Sequence, residues 1–111
     1  IKSIDINELA AIMEKEPVHI LDLRNNSEYL SEHMMDAENL PLDVINDSMA
    51  HINKKKTYYV HCAGGYRSMI FNSILRARGF DNLVDVKGGF KDIKESGKFK
   101  VSEYVCPSTL L

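Results

Sequence analysis

Cys62 closes an apolar run, Thr57-Tyr58-Tyr59-Val60-His61-Cys62, and is followed at once by Ala63-Gly64-Gly65-Tyr66-Arg67-Ser68. A strand-like run that ends in a thiol and turns through two glycines into an arginine-serine helix start surrounds the sulfur with backbone N–H groups, a helix N-terminus and a guanidinium. Each of these favours thiolate over thiol. A free cysteine, with a pKa of about 8.5, is only slightly ionised at neutral pH, whereas a shift into the range of about 3.5–7.5 makes thiolate the main form. Gly64 and Gly65 suit a loop whose N–H groups converge on one point, because that geometry needs backbone angles other residues resist. A cation in the first turn of a helix opposes the macrodipole, so an anion held in the loop would explain Arg67. Cys62 is thus the candidate nucleophile. Ala63, Gly64, Gly65, Tyr66, Arg67 and Ser68 form its binding loop, with Tyr66 at the rim shaping access or covering the loop.

The elements that must position this loop follow from the periodicity of the rest of the chain. Residues 3–4 give a short extended start. Asp5 or Asn7 caps a helix running through Lys15, with Leu9, Ile12 and Met13 on one face, and Pro17 breaks it. Residues 18–23 read as a buried strand ending in polar residues. A short helix over 27–33 follows, capped by Asn26 or Ser27, then an extended piece over 37–40 stopped by Pro41. Residues 43–52 are amphipathic at helical spacing. Residues 57–62 form the central strand and 67–78 the strongest helix, closed by Gly79. Residues 83–86 form a further strand, and Gly88-Gly89 opens a last helix over 90–95 that Gly97 ends. The tail, 98–111, has no firm period. Strands alternating with helices over short connections predict a parallel sheet covered on both faces, with sites at the carboxyl ends of its strands. Asp22 and Cys62 both occupy such ends.

Composition narrows the function. The 111 residues suit one domain, and a net charge of −2 offers no electrostatic case for nucleic acid or an anionic membrane. Lys54-Lys55-Lys56 is the one basic run and reads as a solvated loop. No apolar stretch approaches the roughly 20 residues of a membrane span. Cys62 and Cys106 do not resemble a disulfide framework, which points to a reducing cytoplasm. Cys106, in the tail, is a bystander thiol or, if the tail folds back, a thiol partner of Cys62. His61, one residue before Cys62, faces the opposite side of a strand and reads as a satisfied core histidine. No spacing suggests a metal site, and no cofactor is required. The chain begins at Ile1, which is expected if it is trimmed from a longer protein.

Taken in order, these motifs resemble a single-domain rhodanese, the sulfurtransferase family. The run Asp22-x-Arg24-x-x-x-Glu28-Tyr29, with His33, Ala37, Asn39 and Pro41 after it, is similar to the family's first signature. Cys62 to Ser68 is similar to its active-site loop, and Gly79-Phe80 and Val86-Lys87-Gly88-Gly89-Phe90 to its later elements. The departures are Glu32 for a glycine, Met35-Asp36 before Ala37, and Ile93 or a neighbour for a tryptophan. The resemblance implies a rhodanese-like α/β fold, with a central parallel sheet of about five strands and helices on both faces. It also implies transfer of sulfane sulfur from a donor such as thiosulfate or a persulfide to a thiol or cyanide through a Cys62 persulfide. Asp22, Arg24, Glu28 and His33 become structural supports of the loops. The partners implied are a small sulfur donor, a thiol acceptor and another domain of a fusion protein, such as a sulfide-oxidising hydrolase-fold or disulfide-reductase domain.

Two other readings remain open at this level. Tyrosine-phosphatase loops also join a strand-end His-Cys to an Arg-Ser helix start, but with one residue more than the four from Ala63 to Tyr66. The shorter ring suits one sulfur atom on Cys62 better than a tetrahedral oxyanion, and no downstream general-acid aspartate is obvious. A non-catalytic binding module is the other alternative. Such modules usually lack the cysteine.

Overall fold

The computed structural model describes residues 2–35, 37–40, 52–64 and 66–104. Within them run β1 Lys2–Ile4, α1 Ile6–Lys15, β2 His19–Asp22, α2 Asn26–Ser31, β3 Ala37–Asn39, β4 Tyr58–His61, α3 Tyr66–Ala77, β5 Leu83–Val86 and α4 Gly89–Ser96. The strands form one sheet in the order β1-β5-β4-β2-β3, and every adjacent pair is parallel. The expected architecture is present, with the strand that leads to Cys62 in the middle.

Local chemistry sets the helix ends. Asp5 caps α1 by accepting from Glu8 N–H at 2.8 Å, a contact worth about 0.5–2 kcal/mol. Glu16, ahead of Pro17, is extended, as the proline ring demands of the residue before it. α3 ends on Gly79 at φ +95°, with Gly79 N–H donating to Arg76 O and Phe80 N–H reaching back to Leu75 O. That pair of bonds is a Schellman closure, and Phe80 packs on the core cluster that holds Leu75. The cap of α2 is Asn25, not Asn26 or Ser27. Asn25 and Glu28 form a reciprocal capping box, each side chain accepting from the other's backbone N–H, which starts the helix one residue earlier.

Side chains alternate across the sheet and divide the core in two. On the α3 face lie Leu21, Tyr58, Val60, Cys62, Phe71, Leu75 and Leu83. On the opposite face Leu9 of α1 and Phe90 and Ile93 of α4 meet Ile20 and Val86. The tail, though aperiodic in sequence, returns to residues 33–35. Val101 bridges Met34 antiparallel, Met35 N–H donates to Lys100 O, and Ser102 N–H to His33 O. Phe99 and Val101 thereby cover the second cluster. Lys54, Lys55 and Lys56 are exposed, with the Lys54 ammonium 4.7 Å from the Phe80 ring centre. The expected helix over 43–52 lies outside the described residues except for buried Ile52. Gly65, the Tyr66 side chain and Cys106 also lie outside them.

Gly89 is the backbone joint between sheet and site. Its φ is +63°, and a Cβ there would sit 2.4 Å from Cys62 O and 2.7 Å from Ala63 O, both backbone atoms that cannot swing away. Gly89→Ala should therefore cost about 1–3 kcal/mol in strain alone. Denaturant unfolding measures this, and an unchanged midpoint would show that the joint is not tight.

Candidate active site

Cys62 directly follows β4, and its side chain continues the parity of Tyr58 and Val60 onto the α3 face. It is 1% exposed. The thiol Sγ donates to Ser68 Oγ at 3.8 Å, and Ser68, in the first turn of α3, donates onward to Asp85 Oδ1 at 2.5 Å. Sulfur, hydroxyl and carboxyl form one connected, buried chain.

The loop after Cys62 is held by the start of α4. Phe90 N–H donates to Cys62 O at 2.7 Å and Lys91 N–H to Ala63 O at 3.4 Å. With those two carbonyls turned toward α4 and no cis peptide among the described residues, the N–H groups of Ala63 and Gly64 point the other way. This is how a loop with carbonyls on one side keeps its donors for an anion on the other.

Asp22 and Arg24 are locked together at the end of β2. Arg24 donates to Asp22 through its Nε at 3.0 and 3.2 Å, through Nη2 at 2.8 Å, and through its backbone N–H at 3.0 Å. Nη2 also reaches Glu32 O at 2.6 Å, tying α2's end to the strand. The guanidinium lies 3.9 Å from the centre of the Phe90 ring. His61 approaches the other groups of this cluster, with its ring 6.1 Å from Phe90 and its Nε2 3.8 Å from Asp22 Oδ2.

His61 faces away from Cys62's side of the sheet, as its strand position requires. Its Nδ1 is 3.3 Å from Cys62 O, and since a carbonyl can only accept, that nitrogen carries the proton. Nε2 has no hydrogen-bond partner, so the expected satisfied histidine is satisfied on one side only. Burial pushes its pKa down, against Asp22 and the Cys62 carbonyl, which raise it. The ring is a neutral structural group.

Arg67 and Glu28 meet across the mouth of the site, Nη1 to Oε1 at 3.3 Å, with about a third of each side chain exposed. The guanidinium in this arrangement is engaged by a carboxylate. His33 stands farther off, stacked on Tyr29 at 3.9 Å, donating from Nδ1 to Tyr29 O at 2.7 Å and from its backbone N–H to Ser102 Oγ at 2.9 Å. It anchors the returning tail and does not join the thiol.

Asp85 is the residue the sequence reading overlooked. Its signal was present as an aspartate inside Leu83-Val84-Asp85-Val86, since a lone charge in a buried strand is rare without a partner. In the sequence Phe90 is only the last residue of Val86-Lys87-Gly88-Gly89-Phe90, and its place between Arg24 and His61 depends on tertiary contacts. Among the described residues no group of His, Cys, Asp and Glu could hold a metal ion, and no helix is long and apolar enough to cross a membrane.

Comparison with known proteins places these features in a family. The family model described as rhodanese-like domain matches residues 5–96. The crystal structure of a rhodanese-like domain protein from Staphylococcus aureus superposes with a TM-score of 0.80 at 35% identity, covering 93% of this chain and 100% of that one. An uncharacterized protein of Bacillus subtilis is 31% identical over 76% of this chain and 65% of its own length. A tRNA sulfurtransferase of Thermoplasma acidophilum is 39% identical over 70% of this chain and 16% of its own length. The chain spans 58–65% of the length of the first curated relatives it matches.

The neutral His61 carries a pH signature. Its folded pKa lies below the ordinary value of about 6.5, so the unfolded chain takes up a proton first as pH falls. The stability it contributes is complete above about pH 6.5 and declines on acidification until the folded pKa is reached. NMR titration of the ring, beside urea unfolding at each pH, should show both effects. A ring that titrates at or above about 6.5 would contradict the assignment.

Proposed function

Because the chain belongs to the rhodanese-like domain family, we propose that it transfers sulfane sulfur by a ping-pong route through Cys62. The observation that carries this reading is the Cys62 thiol at the carboxyl end of the middle strand, facing the first turn of α3, with N–H groups of its loop turned away from α4. Cys62 thiolate attacks the outer sulfur of thiosulfate or of a persulfide. The donor's S–S bond breaks, sulfite or a thiolate leaves with the electron pair, and Cys62 keeps an anionic persulfide. The loop of Ala63, Gly64, Gly65, Tyr66, Arg67 and Ser68 holds that terminal sulfur, with the fixed N–H dipoles opposing its charge. A thiol acceptor, or cyanide in an assay, then takes the sulfur and returns Cys62 to thiolate.

In this scheme Asp22, Arg24, Glu28 and His33 act on the loops and not on sulfur. Arg67 exchanges Glu28 for the anionic donor. Their surface pair is partly exposed, so releasing it costs little. The reaction needs no metal or organic cofactor, and it needs Cys62 reduced, which fits a compartment such as the cytoplasm. The net charge of −2 supplies no overall attraction for RNA, and the acceptor in our reading is a thiol. Since the chain spans only part of its curated relatives' length, a second domain of a longer protein is a fitting acceptor.

Intact mass after exposure to thiosulfate or glutathione persulfide tests the scheme. Wild type should gain one cyanide-labile sulfur atom and Cys62→Ser none. No gain in folded wild type with either donor would overturn it. Arg67→Ala should raise KM for thiosulfate roughly tenfold or more, the worth of one hydrogen bond to a charged group at about 1.5–3 kcal/mol. Unchanged thiosulfate kinetics would remove Arg67 from donor binding.

A further inference from the structure

Asp85 is a buried carboxyl group that the transfer scheme leaves without a role. It stands mid-strand among Leu83, Val84 and Val86 and is 4% exposed. The parallel register sets it beside Val60 of β4, and side-chain alternation directs both to the α3 face. Cys62 reaches that same face two residues further along. Ser68 rises from the first turn of α3 between them, accepting from Sγ at 3.8 Å and donating to Asp85 Oδ1 at 2.5 Å. Cys62 and Ser68 are no more exposed than Asp85, at 1% and 0%. In such a site an unshared charge is costly and a connected hydrogen-bond chain is strengthened.

We infer that Cys62 and Asp85 share one proton through Ser68, which makes Asp85 a positioning residue that stores the proton while the sulfur is anionic. At rest the Cys62 S–H donates to Ser68 Oγ, and the Ser68 O–H donates to the Asp85 carboxylate. To react, the S–H bond breaks with its electron pair left on sulfur, and the proton bonds to Ser68 Oγ. The original Ser68 proton passes to Asp85 Oδ1. Negative charge moves from carboxylate to sulfur, the total charge of the three side chains stays constant, and the Ser68 hydroxyl now donates toward sulfur. The same state suits a persulfide on Cys62. The proton returns when the free thiolate is regenerated.

The surroundings of Asp85 agree with this exchange. Burial pushes its carboxyl above the ordinary range, opposed by the Ser68 hydrogen bond and the Lys87 ammonium. From β1 the residue in register is Ser3 and from β4 it is Val60, neither of which titrates there. α3 contributes Ser68, and the end of β4 brings the Cys62 thiol. A carboxyl group whose charge is disfavoured by burial is suited to take up the proton that the thiol gives away.

The inference deepens the proposed sulfur transfer, yet its test reads protonation alone and stands or falls separately, because no sulfur donor is present. Thiolate absorbance is followed against pH in wild type and in Asp85→Asn, each corrected with a matched Cys62→Ser background. The Asp85 carboxyl carbon is followed by NMR in wild type and Cys62→Ser. In wild type, thiolate and carboxyl should each titrate in two common steps at least about one pH unit apart, the mark of strongly interacting sites. Asp85→Asn should collapse the thiolate curve to one step, and Cys62→Ser should collapse the carboxyl curve likewise. Single-step curves in wild type, or a thiolate curve of unchanged shape in Asp85→Asn, would overturn the shared proton. Should Asp85→Asn fail to fold, the carboxyl curves of wild type and Cys62→Ser decide the matter.

Discussion

The Cys62 carbonyl accepts from Phe90 N–H at 2.7 Å and lies 3.3 Å from the protonated His61 Nδ1, while Gly89 presses against it from the start of α4. Much else in the structure depends on this contact. It joins the end of the middle strand to the N-terminus of a helix from the opposite layer, and so fixes which way the first loop peptides face. It also places the Phe90 ring under the Arg24 guanidinium, which Asp22 and Glu32 O hold in place. A residue larger than glycine at 89 would push the helix off the loop and loosen that stack. The sequence pair Gly88-Gly89, both at positive φ, is therefore as much part of the site as the loop itself.

Two ion pairs near the thiol show how burial decides what a charge does. Asp22 and Arg24 are almost fully excluded from solvent, with four hydrogen bonds between them. Removing one partner would strand the other, at a cost of about 3–5 kcal/mol, so the pair acts as a permanent brace. Glu28 and Arg67 make one longer contact and keep about a third of each side chain in solvent. Such a pair adds little stability and separates readily when a better anion arrives. The brace is rigid where the loops need an anchor, and the exchangeable pair lies where an anion would enter.

Much of this was legible in the sequence because it rests on short-range rules. Asp5, Pro17, Gly79 and Gly97 mark helix ends through capping and backbone angles, and the alternating elements imply a parallel sheet with Cys62 at a strand end. The capping box at Asn25 was missed by one residue because Asn26 and Ser27 offer equally good caps until Glu28 is seen to answer Asn25. The return of Val101 to Met34 left no local period, since a single antiparallel bridge between segments far apart in the chain is set by the faces they cover. Asp85 was hidden for the same reason. Its neighbours in sequence are apolar, and its partner Ser68 arrives only through the register of β4 with β5 and the docking of α3.

The strand order explains why these groups meet where they do. From β4 the chain proceeds through α3 to β5 on one side of the sheet, and from β2 through α2 to β3 on the other. The loops leaving β2 and β4 thus diverge from adjacent strands, and a crevice opens between them at the carboxyl edge, as at the switch point of any open parallel sheet. Asp22, Arg24 and Glu28 come from one wall of that crevice and Cys62, Arg67 and Ser68 from the other. The contact of Glu28 with Arg67 spans it. β5, on the far side of β4, adds a third contribution from beneath, because parallel register carries Asp85 to the level of Val60 and its side chain to the face of the thiol. A sheet with strands in simple sequential order would run both loops the same way, and the brace, the thiol and the carboxyl group would not converge.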